Sequence, residues 1–172
     1  MLNLLRQFPM QASGRKALVG HGICVGATVG SSLKDPRIAE ISLSCERLVG
    51  PIVAGLARLS GLPLGFKFSS LQINTGTCDW HRDSNNYGLS CIVTFGSYDG
   101  GRFLREGYEP ADIFGKPLVF NGSVQHATEW FQGERWVIVA FTHETVFDMS
   151  ENQLTVLRRL NFPLPIHVLK SD

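Results

Sequence analysis

Apolar residues in the first part of the chain recur at helical spacing. After Asp35-Pro36, which reads as an N-cap followed by proline at the first helical position, Ile38, Ile41, Leu48, Val49, Ile52, Val53 and Leu56 share one face. Pro51 is expected to kink or split this helix, because it lacks the amide that an interior turn requires. From Gly65 to His143 the pattern changes to short β-rich runs punctuated by Gly, Asn and Asp. These are Lys67 to Asn74, Leu89 to Phe95, Arg102 to Arg105, Pro117 to Phe120, Gln125 to Phe131 and Arg135 to Thr142. Many short strands with turns between them predict a mainly β (α+β) jelly roll or sandwich. Helical spacing returns after Ser150, where Ser-Glu-Asn-Gln153 has the form of a capping box, and Pro163 and Pro165 stop it. Leu154, Leu157 and Leu160 of that helix are placed to cover one face of the sheet.

No internal repeat or low-complexity linker interrupts this pattern. A chain of 172 residues, 44% hydrophobic, can bury a sizeable core and is too short for two ordinary domains. One domain over residues 1–172 is expected, with N-terminal helical support in 1–64, a β core in 65–145 and a short C-terminal helix and tail in 146–172. The net charge of +1 lacks the strong positive field of avid, non-specific nucleic-acid binders. Basic residues do gather early: Arg6, Arg15, Lys16, Lys34, Arg37, Arg47, Arg58 and Lys67 face only Asp35, Glu40 and Glu46 within residues 1–70. This flank reads as an ordinary solvated surface.

Cys24, Cys45, Cys78 and Cys91 have no C-x-x-C spacing, so buried, reduced thiols in an intracellular protein, cytoplasmic or nuclear, are expected. No apolar run approaches the roughly 18 residues of a membrane span, and no membrane association is expected. The N-terminal stretch, with Arg6, Arg15 and Lys16 among Ser, Gln and Ala and nothing acidic before Asp35, also has the composition of an organelle transit segment.

Candidate chemistry lies in Trp80-His-Arg-Asp83, in His126 and in Arg135. In extended backbone, His81 and Asp83 leave the same side with Cα atoms about 6.6 Å apart, close enough to share one ion, while Arg82 points away. His126 follows the Phe120-Asn-Gly122 turn, so a folded-back sheet can bring it to the same place. Two histidines and one carboxylate can hold three positions on one face of Fe(II) and leave the others open. Alone, an H-x-D is a common accident and a single histidine is usually a core or surface residue; the combination carries the reading. Arg135 adds a planar guanidinium able to take a carboxylate bidentately, although by itself it would be read as half of a salt bridge. The Gln132-Gly-Glu134 turn predicts that the His126 and Arg135 runs are hairpin neighbours.

In this order, H-x-D, distal His and G-x-R within β-rich sequence, residues 66–145 resemble the Fe(II)- and 2-oxoglutarate-dependent dioxygenases. The resemblance implies a double-stranded β-helix of the cupin-like kind. It further implies Fe(II) held by His81, Asp83 and His126, 2-oxoglutarate anchored by Arg135, and dioxygen as the oxidant. The implied reaction couples decarboxylation of 2-oxoglutarate to succinate with hydroxylation of a C–H bond. Halogenating relatives lack the carboxylate that Asp83 retains, so hydroxylation is the expected outcome. Many members place a hydroxyl residue two positions after the Arg; Val137 stands there, and Asn74 and Ser90 are the candidate second anchors.

Within that superfamily, Leu71-Gln-Ile-Asn74, His81-Arg-Asp-Ser-Asn-Asn86, Thr94-Phe-Gly and Gly100-Gly resemble the TET/J-binding-protein group, which oxidises the 5-methyl group of pyrimidine bases in nucleic acid. The resemblance implies a flipped base, 5-methylcytosine or thymine in DNA or RNA, stacked on Phe141 and hydrogen-bonded by His143 and Asn86. Strand alternation agrees, since an inward Arg135 turns Val137, Val139, Phe141 and His143 inward and Trp136, Ile138, Ala140 and Thr142 outward. Such a pocket suits an extruded base, which needs stacking for its face and hydrogen bonds for its edge. The near-neutral charge weighs against this substrate, because phosphate contacts supply much of a nucleic-acid binder's grip. A prolyl, other amino-acid side-chain or small-molecule hydroxylase is the alternative, and a cupin-like module that binds metal without turnover is a third.

Other motifs fail. His81-Arg-Asp83 lacks the Asn of a kinase catalytic loop, since position 88 is Gly. Gly20-His-Gly22 lacks the third glycine of a dinucleotide fingerprint, since position 25 is Val. Trp80, Trp130 and Trp136 are expected to be packing residues.

Overall fold

A strand sends successive side chains to opposite faces, so a run that is apolar at every position needs cover on both sides. Residues 136–141 form such a run, and they lie at the centre of the structure. A computed structural model describes residues 1–12, 17–32 and 35–165; Arg15, Lys16 and Lys34 of the basic flank and the tail beyond Pro165 lie outside the described residues. The N-terminal part contains α1 (Leu2–Leu5), β1 (Leu18–Val19), β2 (Gly22–Val29), β3 (Pro36–Ile38), α2 (Glu40–Ser44) and α3 (Glu46–Leu56). There follow β4 (Ser70–Asn74), β5 (Thr77–Cys78), β6 (Asn86–Gly100), β7 (Phe103–Arg105) and β8 (Tyr108–Ala111). The chain continues through β9 (Leu118–Phe120), β10 (His126–Thr128) and β11 (Phe131–His143) to a 3₁₀ turn (Glu144–Asp148) and α4 (Glu151–Arg159).

Six strands form one antiparallel sheet in the order β3-β2-β4-β11-β6-β9. Facing it is a smaller layer in which β10-β7-β8 forms one sheet and β1-β5 another. The two halves of this layer are joined by an isolated bridge between His81 and His126 and by a 2.7 Å bond from the Cys78 amide to the Thr128 hydroxyl. This is the expected double-stranded β-helix.

Side-chain alternation along the large sheet creates two cores. Val25, Leu71, Ile73, Val93, Ile138 and Ala140 point outward and are covered by Val49, Ile52, Val53 and Leu56 of α3 and by Leu154, Leu157 and Leu160 at the C-terminal helix. Each fully buried aliphatic side chain contributes about 1.5–3 kcal/mol. The C-terminal helix starts on the expected Ser150/Gln153 capping box. It ends before the prolines, at Asn161, whose φ of 68° turns the backbone out of the helix. On the inner face Ile92, Phe103, Ile113, Phe120 and Val137 make a smaller core next to the barrel's cavity.

Four expectations are corrected. Asp35-Pro36 is not a helix start: Pro36 opens the edge strand β3, where a missing amide costs nothing, and Asp35 forms an ion pair with Arg37 at 2.7 Å. The helical zone breaks at Cys45, whose φ and ψ of −116° and 28° lie outside the helix, while Pro51 remains inside α3. Residues 1–64 are also not only helical, since β1, β2 and β3 all lie there. Finally, Gln132-Gly-Glu134 is no hairpin turn: these residues continue β11 against Ser97–Asp99 of β6, and β10 pairs with β7 in the facing sheet. Gly133 is required there by close approach, since a Cβ on it would lie 2.3 Å from the Ser97 carbonyl, and its φ is 114°.

Of the tryptophans, Trp136 packs in the outer core as expected, whereas Trp80 and Trp130 are 52% and 74% exposed and do not. No described helix is long and apolar enough to cross a membrane.

Candidate metal centre

His81 and His126 are brought together by their own backbones: the amide of each donates to the carbonyl of the other at 3.0 Å. The imidazole rings then lie 4.3 Å apart between centroids. In each ring Nδ1 meets a carbonyl two residues back, Asp79 at 2.7 Å for His81 and Val124 at 2.8 Å for His126. A carbonyl only accepts, so Nδ1 carries the proton and Nε2 keeps its lone pair. The two Nε2 atoms approach opposite oxygens of Asp83, at 3.7 and 3.8 Å.

All three donors lie within 4.8 Å of one another, a spacing that can hold one metal ion. Burial lowers the pKa of His126 below its ordinary value, and this outweighs the Val124 carbonyl and Asp83, which raise it. The ring is thereby held in the neutral, ligating form. Asp83 is held from two sides: its amide donates to the Gly122 carbonyl at 2.9 Å, and the Asn86 amide nitrogen donates to its Oδ2 at 3.1 Å. A Cβ at Gly122 would lie 2.9 Å from that same oxygen. Arg82 points away, to the Ser123 carbonyl at 2.8 Å and to Glu106 at 3.6 Å, and so ties the loop to the small sheet.

Arg135 lies on the inner face of β11 and is 1% exposed. Its Nη2 donates to the Gly101 carbonyl at 2.9 Å, its Nη1 reaches the Gly76 carbonyl at 3.5 Å, and its Nε has no partner. The rings of Phe131 and Tyr98 lie 5.3 and 5.6 Å from the guanidinium carbon. Burial lowers its pKa from the ordinary value, partly offset by Tyr98, yet an arginine stays charged. No carboxylate meets this cation among the described residues, so its charge and one of its donors are buried without an acidic partner. Arg135 does not itself line the cavity beside the triad, although Gly76, whose carbonyl its Nη1 approaches, does. Gly101 is required by close packing: a Cβ there would lie 2.8 Å from Nε.

The triad opens into a cavity of about 490 Å³ whose wall includes Gln72, Asn74, Asn86, Val137, Val139, Phe141 and His143. Asn86, Phe141 and His143 thus border one space with the triad. Asn86 also donates to Ser90 at 3.2 Å, and the His143 Nδ1 accepts from the Thr145 amide at 3.2 Å, so His143 also caps the 3₁₀ turn.

Asn74 lines the cavity and sits directly across from Val137 in the β4–β11 register, where its Oδ1 accepts from Gln72 at 2.8 Å, while Ser90 is buried against Asn86. A hydroxyl pair lies on the other side of the same register position. Thr94 sits directly across from Val137 in the β6–β11 register and hydrogen-bonds to Tyr98, whose ring flanks Arg135. Cross-strand register thus places a hydroxyl beside position 137, and no linear motif could have revealed it.

The four cysteines are thiols, of which only Cys91 is fully buried; Cys24 and Cys78 line the cavity. Burial pushes the Cys91 pKa up to about 12.

No protein-family model matches this chain, and no curated protein matches it. Solved structures do. One is an oxidoreductase of the 2OG-Fe(II) oxygenase family from Burkholderia pseudomallei, 20% identical, with a TM-score of 0.53 over 83% of this chain and 76% of that one. At this identity the likeness is one of fold, the double-stranded β-helix.

Proposed function

We propose that this chain is an Fe(II)- and 2-oxoglutarate-dependent dioxygenase that hydroxylates the 5-methyl group of a pyrimidine base in nucleic acid. One observation carries the reaction class: a His-Asp-His triad with both Nε2 lone pairs turned on one carboxylate shares a β-helix with a buried arginine that has no carboxylate partner among the described residues. His81, Asp83 and His126 would hold the metal on one side and leave the cavity side open. Iron(II) bound there supplies dioxygen activation coupled to decarboxylation of 2-oxoglutarate. Arg135 binds the far carboxylate of the keto acid, with the Thr94–Tyr98 hydroxyl pair as its neighbour. The carbonyls of Asp79 and Val124 keep the ligand protons on Nδ1, and Asn86 steadies the Asp83 carboxyl through its Oδ2.

The apolar wall of Val137, Val139 and Phe141 excludes water from the reacting C–H bond. For the base itself, Phe141 offers a ring face and His143 an imidazole edge. Asn86 turns its amide nitrogen to a carboxylate oxygen, which can only accept, and this leaves its Oδ1 as an acceptor. An acceptor suits the exocyclic amine of 5-methylcytosine better than the carbonyl of thymine.

The test measures succinate formed from 2-oxoglutarate with Fe(II), alongside mass spectrometry for the gain of one oxygen. Oligonucleotides containing 5-methylcytosine are expected to yield hydroxymethyl product, and His143→Ala to suppress this more than it slows uncoupled succinate release. Oxidation of peptides or free amino acids alone would refute the base pocket and leave the reaction class intact. An iron-loaded sample that forms no succinate would refute both.

A further inference from the structure

We infer that Arg105 is a second anion-binding residue, placed at the rim of the metal centre to take an oxyanion of the primary substrate. On the proposed base substrate, on which this assignment rests, that group is the nucleotide phosphate. Arg105 is the register partner of His126 across β7 and β10. The Glu106 amide donates to the Gln125 carbonyl at 2.9 Å, which makes Arg105 and His126 a non-hydrogen-bonded pair, the kind whose Cα atoms are only about 4.5 Å apart. Directly opposed residues share a face of the sheet. Phe103, two residues earlier on that face, is 1% exposed, with its ring 5.7 Å from that of His126. Arg105 therefore leaves the inner face one step beyond Phe103, at the edge of the cavity that Phe103 and His126 line, and its guanidinium leans towards Tyr108 of β8.

Its setting differs from that of a structural arginine. Arg37, Arg82 and Arg102 each meet a carboxylate, at 2.7, 3.6 and 2.7 Å. Among the described residues no carboxylate meets Arg105, and its Nε is sealed from solvent without a hydrogen-bond partner. The guanidinium carbon instead stacks 4.4 Å from the centre of the Tyr108 ring, and Tyr108 is itself 62% exposed. Stacking fixes the plane of the cation without using its donors, so the fork stays available for a planar or tetrahedral oxyanion. Arg135 and Arg105 thus stand on facing sheets, the first suited to the co-substrate and the second to the substrate.

The probes are 5-methyl-2′-deoxycytidine, its 5′-monophosphate and N-acetylproline, titrated calorimetrically without oxygen into protein loaded with Fe(II) and 2-oxoglutarate. The monophosphate is expected to bind about tenfold more tightly than the nucleoside, the worth of one charge-assisted contact. Arg105→Gln should erase that difference, Arg105→Lys should retain part of it, and the nucleoside should bind all three proteins alike. Arg105-dependent binding of N-acetylproline, with no preference for the monophosphate, would keep the oxyanion subsite and overturn the nucleotide as its bearer. Indifference of every probe to Arg105, or no binding by any of them, overturns the subsite. Binding of 2-oxoglutarate is read first and separately; its failure strikes the oxygenase assignment, and the Arg105 comparison is then made with Fe(II) alone.

Discussion

Gly101→Ala isolates the contact on which the co-substrate assignment depends. The added Cβ would lie 2.8 Å from Arg135 Nε and 3.1 Å from both its Cδ and the Phe131 Cβ, so the guanidinium must retreat by roughly half an ångström to regain ordinary contact. The backbone at Gly101 has φ of 68°, which costs any side chain about 1–2 kcal/mol on its own. Gly115→Ala is the matched control, because φ there is 62° and nothing lies within 4 Å of its Cβ. Both variants should therefore lose about 1–2 kcal/mol of stability to the backbone, and Gly101→Ala more than Gly115→Ala because its Cβ also overlaps Arg135 and Phe131. Only Gly101→Ala should weaken 2-oxoglutarate binding, since displacing a charge-assisted hydrogen bond costs about 1.5–3 kcal/mol, which is about tenfold to a hundredfold in Kd. Thermal unfolding reads the first quantity, and anaerobic calorimetry of the Fe(II)-loaded protein reads the second. Unchanged 2-oxoglutarate affinity in Gly101→Ala, or equal losses in both variants, would refute Arg135 as the anchor.

Tyr98→Phe removes the hydroxyl that joins Thr94 to the Arg135 site and should raise the Kd for 2-oxoglutarate about threefold to tenfold; an unchanged Kd would exclude the pair as an anchor. Cys91, with its pKa raised to about 12 by burial, stays a neutral thiol at neutral pH and should resist iodoacetamide in the native protein. It should react fully once the chain is denatured, as peptide mass spectrometry can check. Glu134 has its pKa lowered to about 2 by hydrogen bonds from Arg6 and Trp136. A depressed carboxylate stabilises the fold above its unfolded pKa and loses that contribution as pH falls through the folded value. Glu134→Gln should therefore reduce the acid dependence of stability between about pH 4.5 and 2, and a titration of Glu134 by NMR near its ordinary range would contradict this.

Alternation alone makes the inner and outer faces of β11 legible in the sequence, because Val137, Val139, Phe141 and His143 do line the cavity while Trp136, Ile138 and Ala140 pack outward. The triad is legible through residue type and spacing. The second strand is not: in Gly-Ile-Cys-Val-Gly-Ala-Thr-Val the outward residues Ile23, Val25 and Ala27 alternate with Gly22, Cys24, Gly26 and Thr28, and glycines blur the period that would mark a strand. Gly133 misleads for a related reason, since a glycine needed for close approach of two strands looks, in sequence, like one needed for a turn. Thr94 and Arg105 stay hidden because their meaning lies in register. Each is defined by the residue across from it, Val137 and His126, and pairing between distant strands leaves no local trace.

The reciprocal amide–carbonyl bonds between His81 and His126 bear on how the centre would be loaded. Closing the long loop between these positions carries an entropic cost, and here backbone hydrogen bonds in the β-ladder help to meet it. Small zinc domains spend metal affinity on folding, so a chelator unfolds them. Here the backbone bonds that join His81 to His126 do not depend on their imidazoles, so under the proposed function removing the ion should cost activity while leaving the thermal unfolding of the barrel little changed.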